Sequence, residues 1–103
     1  MTNQMPETAH VLNLIRQWAH DRNLIEGATR QAQMLKLTEE VGELAADIAK
    51  GRCPKDSIGD CVVVLTILAA QSGLTIEECF EAAYDEIKDR KGKMIDGVFV
   101  RNV

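Results

Sequence analysis

Aromatic side chains are almost absent. One Trp, one Tyr and two Phe make up 4% of the 103 residues, so a folded core must be built mainly from Leu, Ile, Val and Ala. Positive charge is short as well. Lys and Arg number 12 against 16 Asp and Glu, for a formal net charge of -4. A general nucleic-acid binder needs a basic face instead, so no nucleic-acid partner is expected. Cys53, Cys61 and Cys79 are odd in number and lack metal-ligand spacing. Reduced thiols in a cytoplasmic protein account for them better than a disulfide or a zinc site. The longest apolar stretch, Cys61 to Ala70 with Thr66 inside it, is too short to span a bilayer, so no membrane partner is expected. No basic region followed by an apolar run opens the chain, which argues against a secretory leader. Repeats, low-complexity tracts and linkers are also missing, and residues 1–103 are expected to form one domain.

What is present is a globular composition, 46% hydrophobic, with apolar residues at helical spacing. After a loose start over residues 1–6, Pro6 and Glu7 suit the first turn of a helix. Val11, Leu12, Leu14, Ile15, Trp18 and Ala19 continue it to about residue 22. A connection containing Gly27 follows. Thr29 can cap a second helix over about 30–50, which Gly51 ends. A third helix runs from Lys55 or Asp56 to about Gln71 and is apolar almost all round after Asp60. Such a helix is a bundle centre or an oligomer interface. Its Val62, Val63, Val64 and Ile67 also permit a strand, but its length favours helix. Thr75 with Glu78 forms a capping box for a fourth helix, expected over about 75–91. Asp96-Gly97 between short apolar runs signals a C-terminal hairpin. The expected fold class is therefore all-α, four helices with a short hairpin or extended tail.

The second helix carries the most unusual pattern. At about 100° per residue, Met34, Leu37, Val41, Leu44, Ala45 and Ile48 share one side. Lys36, Glu39, Glu40, Glu43 and Asp47 share the other. The like-charge i,i+4 pairs Glu39–Glu43 and Glu43–Asp47 each cost roughly a few tenths of a kcal/mol, and Lys36 relieves only part of this. Glu39, Glu40 and Glu43 can converge on one point, as a magnesium site requires. A solvated helix face explains the same residues. Asp60 opens the most apolar helix, where an unpaired carboxylate is costly to bury, and Asp56 lies one turn before it. Lys88 and Lys91, with Arg90 and Lys93 beside them, form a basic cluster near Asp85 that suits phosphate, or simply the negative end of a helix dipole. The acids between Glu39 and Asp60 and these bases divide the chain into a cation side and an anion side. Trp18, the one Trp, fits core packing or base stacking.

Together these residues resemble the MazG-like, all-α nucleoside triphosphate pyrophosphohydrolase superfamily, over roughly Leu14 to Lys93. Glu39-Glu40-Val41-Gly42-Glu43 matches its EExxE helix motif, with Gln33 and Lys36 as a similar lead-in. Asp60 matches the last acid of its second motif, ExxD. The first acid of that motif is replaced by Ser57, and Asp56, one position earlier, is the residue able to stand in for it. Asp85 and Lys88 fall where the family places an Asn or Asp and a Lys near the nucleotide.

The resemblance implies a four-helix MazG-like bundle that hydrolyses a nucleoside triphosphate to a monophosphate and pyrophosphate. It implies Mg²⁺ held by Glu39, Glu40, Glu43 and Asp60, with Asp56 in support, and one helix glutamate, Glu39, available to orient the attacking water. Lys36, Asp85, Lys88, Lys91 and Trp18 are then the substrate-side residues. A homodimer or homotetramer is implied, with sites near the subunit interfaces. The competing expectation is a non-catalytic helical module that binds nucleotide or metal, for which Ser57 is the main support. A third is a relative dedicated to one substrate such as dUTP, dCTP or phosphoribosyl-ATP.

Overall fold

The computed structural model describes residues 7–102; the loose start expected over residues 1–6 lies outside them. Among the described residues four helices form: α1 (Thr8–Asp21), α2 (Arg30–Ala49), α3 (Lys55–Gln71) and α4 (Ile76–Ile87). Two short strands follow, β1 (Gly92–Ile95) and β2 (Val98–Arg101), paired antiparallel with Gly92 opposite Arg101 and Ile95 opposite Val98. Asp96 and Gly97 link them with φ of 50° and 79°, the positive pair that a tight two-residue hairpin turn requires.

Side chains and backbone set the helix ends. The Thr29 hydroxyl accepts from the Ala32 N–H at 3.0 Å at the start of α2, and Thr75 with Glu78 makes a complete capping box at the start of α4. Helices α1, α2 and α3 end alike. In each, the residue after the cap takes a positive φ (Asn23, Gly51, Gly73), and the next N–H reaches back to the carbonyl of Ala19, Asp47 or Ala69. This is the Schellman arrangement.

The fourth helix is shorter than its spacing suggests. It stops at Ile87, so Arg90, Lys91 and Lys93 are not on it, and Lys88 is its C-cap. The cause lies downstream. The Asn102 N–H donates to the Lys91 carbonyl at 2.8 Å, so the hairpin ladder claims the backbone that a longer helix would need. Gly92 opens β1 rather than ending the helix.

Helix α3 is the hub, with α1, α2 and α4 each packed on it. Leu12, Ala69 and Ile76 form the inner cluster, flanked by Ile15, Val62 and Cys79. Thr66, 1% exposed, is the polar residue inside the apolar run, and its hydroxyl donates to the Val62 carbonyl one turn back at 2.7 Å. That satisfies the group and lets α3 remain helical through its β-branched stretch. Arg16 reaches from α1 to Glu77 of α4 with a two-pronged ion pair, at 2.7 and 2.8 Å. Among the described residues no single helix is long and apolar enough to cross a membrane; α3 and α4 reach that composition only as a pair bent by 101°.

Helix α2 turns a mixed edge inward, with Leu37, Leu44 and Asp47 half-buried beside more deeply buried polar residues. Met34, Val41 and Ile48, on its apolar side, are each at least half exposed. Gln33 and Glu40 are buried at 9% and 7% exposure. The edge of α2 that is turned inward therefore combines Leu37 and Leu44 with Gln33, Glu40 and Asp47.

Candidate functional site

Because α2 turns this edge inward, Glu40 and Glu43 come to lie opposite Asp60 of α3. One carboxylate oxygen from each of the three lies within 4.8 Å of the others. Glu40 and Glu43 are three residues apart and so share a helix face, while Asp60 is brought in by the α2–α3 turn at Gly51. The cluster is graded in exposure, with Glu40 buried, Asp60 half-buried and Glu43 exposed.

The charge in this cluster is poorly compensated. Lys36 Nζ lies 3.3 Å from Glu40 Oε1 and 3.4 Å from Glu39 Oε2, and its ammonium pKa is raised by these contacts, Glu40 first. The other Glu40 oxygen, Oε2, is buried and has no hydrogen-bond partner among the described residues. Glu43 is held above the ordinary glutamate range, chiefly by the charge of Glu40. Asp60 is raised first by desolvation, then by the charges of Asp56 and Glu40. Glu43 thus resists ionisation chiefly because of the charge of Glu40, and Asp60 first because it is desolvated. A buried carboxylate oxygen without a donor is costly, and three converging oxygen donors fit a hard divalent cation.

The remaining candidate residues are distributed around this centre. Glu39 lies outside the three-carboxylate cluster and is exposed, with Lys36 as its ion partner. Asp56 is also outside it, though its charge is felt at Asp60. Trp18 lies at the edge of the site. It lines a recess of about 430 Å³ with Leu14, Ile15, Asp60 and Val63, so it adjoins the carboxylates and is 44% exposed instead of buried in the core. Arg22 stacks on its ring at 4.7 Å from the centroid.

Asp85, Lys88 and Lys91 are not gathered with the carboxylates within one chain. Lys88 pairs with Asp85 at 3.3 Å. Lys91 lines a separate shallow cleft with Arg90 and Arg101 at the base of the hairpin. The cause is the early end of α4, which packs on α3 and not on α2.

The residue undervalued by spacing alone is Asp47, which the acidic arc includes but the motif does not. Its Oδ2 accepts from the Ser57 hydroxyl, and its Oδ1 accepts from Arg52 Nε at 3.0 Å. These bonds, Ser57 first, hold its carboxyl below the usual aspartate range. Ser57 is buried and turned to Asp47, which explains what the hydroxyl does at a position where the resemblance leads one to expect an acid.

In this mostly helical chain, acids from two adjacent helices converge beside an open recess and could together hold a divalent cation. The MazG nucleotide pyrophosphohydrolase domain model matches residues 28–95, and the chain belongs to that family. Over 70 residues, 66% of the chain, it is 50% identical to an uncharacterized 18.2 kDa protein from the rep-hol intergenic region of Haemophilus phage HP1 (strain HP1c1). The chain spans 43% of the length of that relative. No solved structure matches it.

Proposed function

We infer that this chain is a Mg²⁺-dependent nucleoside triphosphate pyrophosphohydrolase, releasing pyrophosphate and a nucleoside monophosphate in the cytoplasm. The observation that carries this reading is the convergence of Glu40, Glu43 and Asp60 around a buried, unpartnered Glu40 oxygen. These three side chains would hold the cation. When bound, a divalent cation neutralises phosphate charge and lowers the pKa of water. Lys36, already at the carboxylate rim, offers positive charge to the phosphates. Glu39, exposed and outside the cluster, orients and deprotonates the attacking water. Trp18 presents an aromatic face beside Asp60 for the base.

A homo-oligomer belongs to this reading. The chain exposes 8181 Å², whereas a monomer of 11.4 kDa is expected to expose about 5,800 Å². The excess is about 2,400 Å², and even fully exposed, the seven residues outside the described range would account for only about 1,100 Å² of it. The remainder fits an obligate interface in size. The exposed ridge of Met34, Val41 and Ile48 on α2 supplies the apolar surface that such an interface buries. A second chain would also offer its own basic residues to a site whose lysines, beyond Lys36, are not gathered within one chain.

The direct test is pyrophosphate release from a panel of ribo- and deoxyribonucleoside triphosphates with Mg²⁺. Release by the unmodified protein and its loss in Glu43→Ala are expected. Folded, metal-supplied protein that releases none from any common nucleotide would overturn the reading in favour of a non-catalytic nucleotide- or metal-binding module. The observation favouring that second reading is Ser57, whose hydroxyl is committed to Asp47.

A further inference from the structure

The hairpin stands apart from the rest of the chain. Among the described residues neither strand packs on a helix, and every residue of β1 and β2 is exposed. Met94, Ile95, Val98, Phe99 and Val100 are each at least 43% exposed. The Phe99 ring lies over Gly92, so the hairpin covers part of its own apolar surface. A two-stranded hairpin alone in water is marginal, and a further strand or an apolar surface is what stabilises one. Strand β2 also follows the family-matched residues 28–95, so the carboxylate site gives no account of it.

The register decides which backbone groups are left over. The Asn102 N–H bonds the Lys91 carbonyl, and hydrogen-bonded and non-hydrogen-bonded pairs alternate along an antiparallel ladder. Lys93–Val100 and Ile95–Val98 are then the other hydrogen-bonded pairs. Gly92, Met94, Phe99 and Arg101 point their N–H and C=O groups out of the hairpin, along two open edges. The edges differ. That of β1 carries Gly92, a poor strand former, and Lys93, the kind of charge that blunts an edge. That of β2 runs through Val98, Phe99 and Val100, uncharged and strongly strand-forming. Strand β2 is therefore the edge that can accept another strand.

We propose that β2 pairs antiparallel with β2 of a second copy of the chain, the twofold axis passing between the two Phe99 residues, so that two hairpins form one four-stranded sheet. Opposite residues must share a sheet face, and the outward backbone groups must meet. Among the registers that satisfy both, Phe99 opposite Phe99 lays Val98 opposite Val100 and Arg101 opposite Gly97. Arg101 thereby comes beside Asp96, the residue before Gly97 in the second copy's turn. Among the described residues neither Arg101 nor Asp96 has an ion-pair partner in its own chain. The pairing gives each a partner, twice over by symmetry, and sets no like charges opposite each other. That charge match favours a second copy over an unrelated strand. The contact is separate from the α2 ridge, and it holds whether or not the carboxylates hydrolyse a nucleotide.

The test is specific to the register. Val98 of one copy and Val100 of the other form a non-hydrogen-bonded pair, with Cα atoms about 4.5 Å apart, inside the disulfide range of about 4.4–6.8 Å. A Val98→Cys chain is mixed with a Val100→Cys chain and mildly oxidised. A disulfide between the two introduced thiols is expected, told apart from links to Cys53, Cys61 and Cys79 by peptide mass spectrometry. Two further variants weaken the contact without touching the helices. Phe99→Pro removes the outward N–H at its centre and leaves the inner ladder its donors. Arg101→Glu sets a like charge beside Asp96. Sedimentation of the full chain over a dilution series is expected to show a dissociation constant raised at least tenfold in each, with the helical circular dichroism unchanged. The proposal is overturned if the unmodified protein is a monomer at every concentration, or if both folded variants assemble as it does. It is also overturned if the introduced thiols do not link to each other. Their linkage to a native cysteine alone would seat β2 on another part of the second copy and overturn it equally.

Discussion

The Ser57 hydroxyl donates to the Asp47 carboxylate, joining the C-terminal turn of α2 to the N-terminal turn of α3. Arg52, from the loop between them, closes on the same carboxylate. The two helices that carry the carboxylate cluster are therefore fixed to one another one turn away from it. The position of Asp60 relative to Glu40 and Glu43 depends on that latch.

Ser57→Ala removes the donor and leaves a partly buried carboxylate oxygen without it. A fall of a few degrees in melting temperature at neutral pH is expected, measured by thermal unfolding. The sign of the pH effect follows from Asp47. Its folded pKa is depressed, so the stability it confers is present above the ordinary aspartate pKa and is lost as pH falls through the folded value. The gap between unmodified protein and Ser57→Ala should close in acid.

Glu43 and Asp60 act in the opposite sense. Their folded pKa values are raised, so their ionisation disfavours the folded, metal-free state. That penalty is full at neutral pH and is relieved as pH falls through the raised values. Mg²⁺ should reverse the trend, because it binds the ionised forms. Melting curves with Mg²⁺ at 100 times its dissociation constant should show about 2.7 kcal/mol of added stability near neutral pH. The increment should shrink on acidification and be absent in Asp60→Asn.

Glu39 is separable from the cluster. Glu39→Gln should lower kcat by about 10²- to 10⁴-fold while leaving the Mg²⁺-dependent rise in melting temperature intact. Glu43→Ala should lose both. Equal loss of metal stabilisation in the two variants would show that Glu39 is a ligand instead.

The exposed ridge on α2 predicts the assembly. Light scattering on the unmodified protein should give a multiple of 11.4 kDa. Val41→Glu places a charge in the middle of the ridge and should shift the species toward monomer, because an unpaired charge is strongly disfavoured in an apolar interface.

Local chemistry made much of the fold legible in the chain. Thr29, Gly51, the Thr75–Glu78 box and Asp96-Gly97 each act within a few residues, and each ends or starts an element where its chemistry predicts. The end of α4 was not legible, because pairing with Asn102 decides it from eleven residues away along the chain. At the candidate site, the spacing of Glu40 and Glu43 puts them on one face of any helix. That Asp60 meets them depends on how α2 and α3 turn against each other.

By itself the sequence determined the four helices, the hairpin and the shared face of Glu40 and Glu43. These follow from helical periodicity and from caps that reach three or four residues. Only the tertiary structure decided that α2 turns Gln33 and Glu40 inward beside Leu37 and Leu44 while exposing Met34, Val41 and Ile48, and that Lys91 sits at the hairpin, away from the acids. It alone also showed that Ser57 is spoken for by Asp47. The physical reason is that a helix with an acidic edge and an apolar edge can be packed either way round. Which edge turns inward is settled by the neighbours that pack against it, and those are set by contacts between residues far apart in the chain.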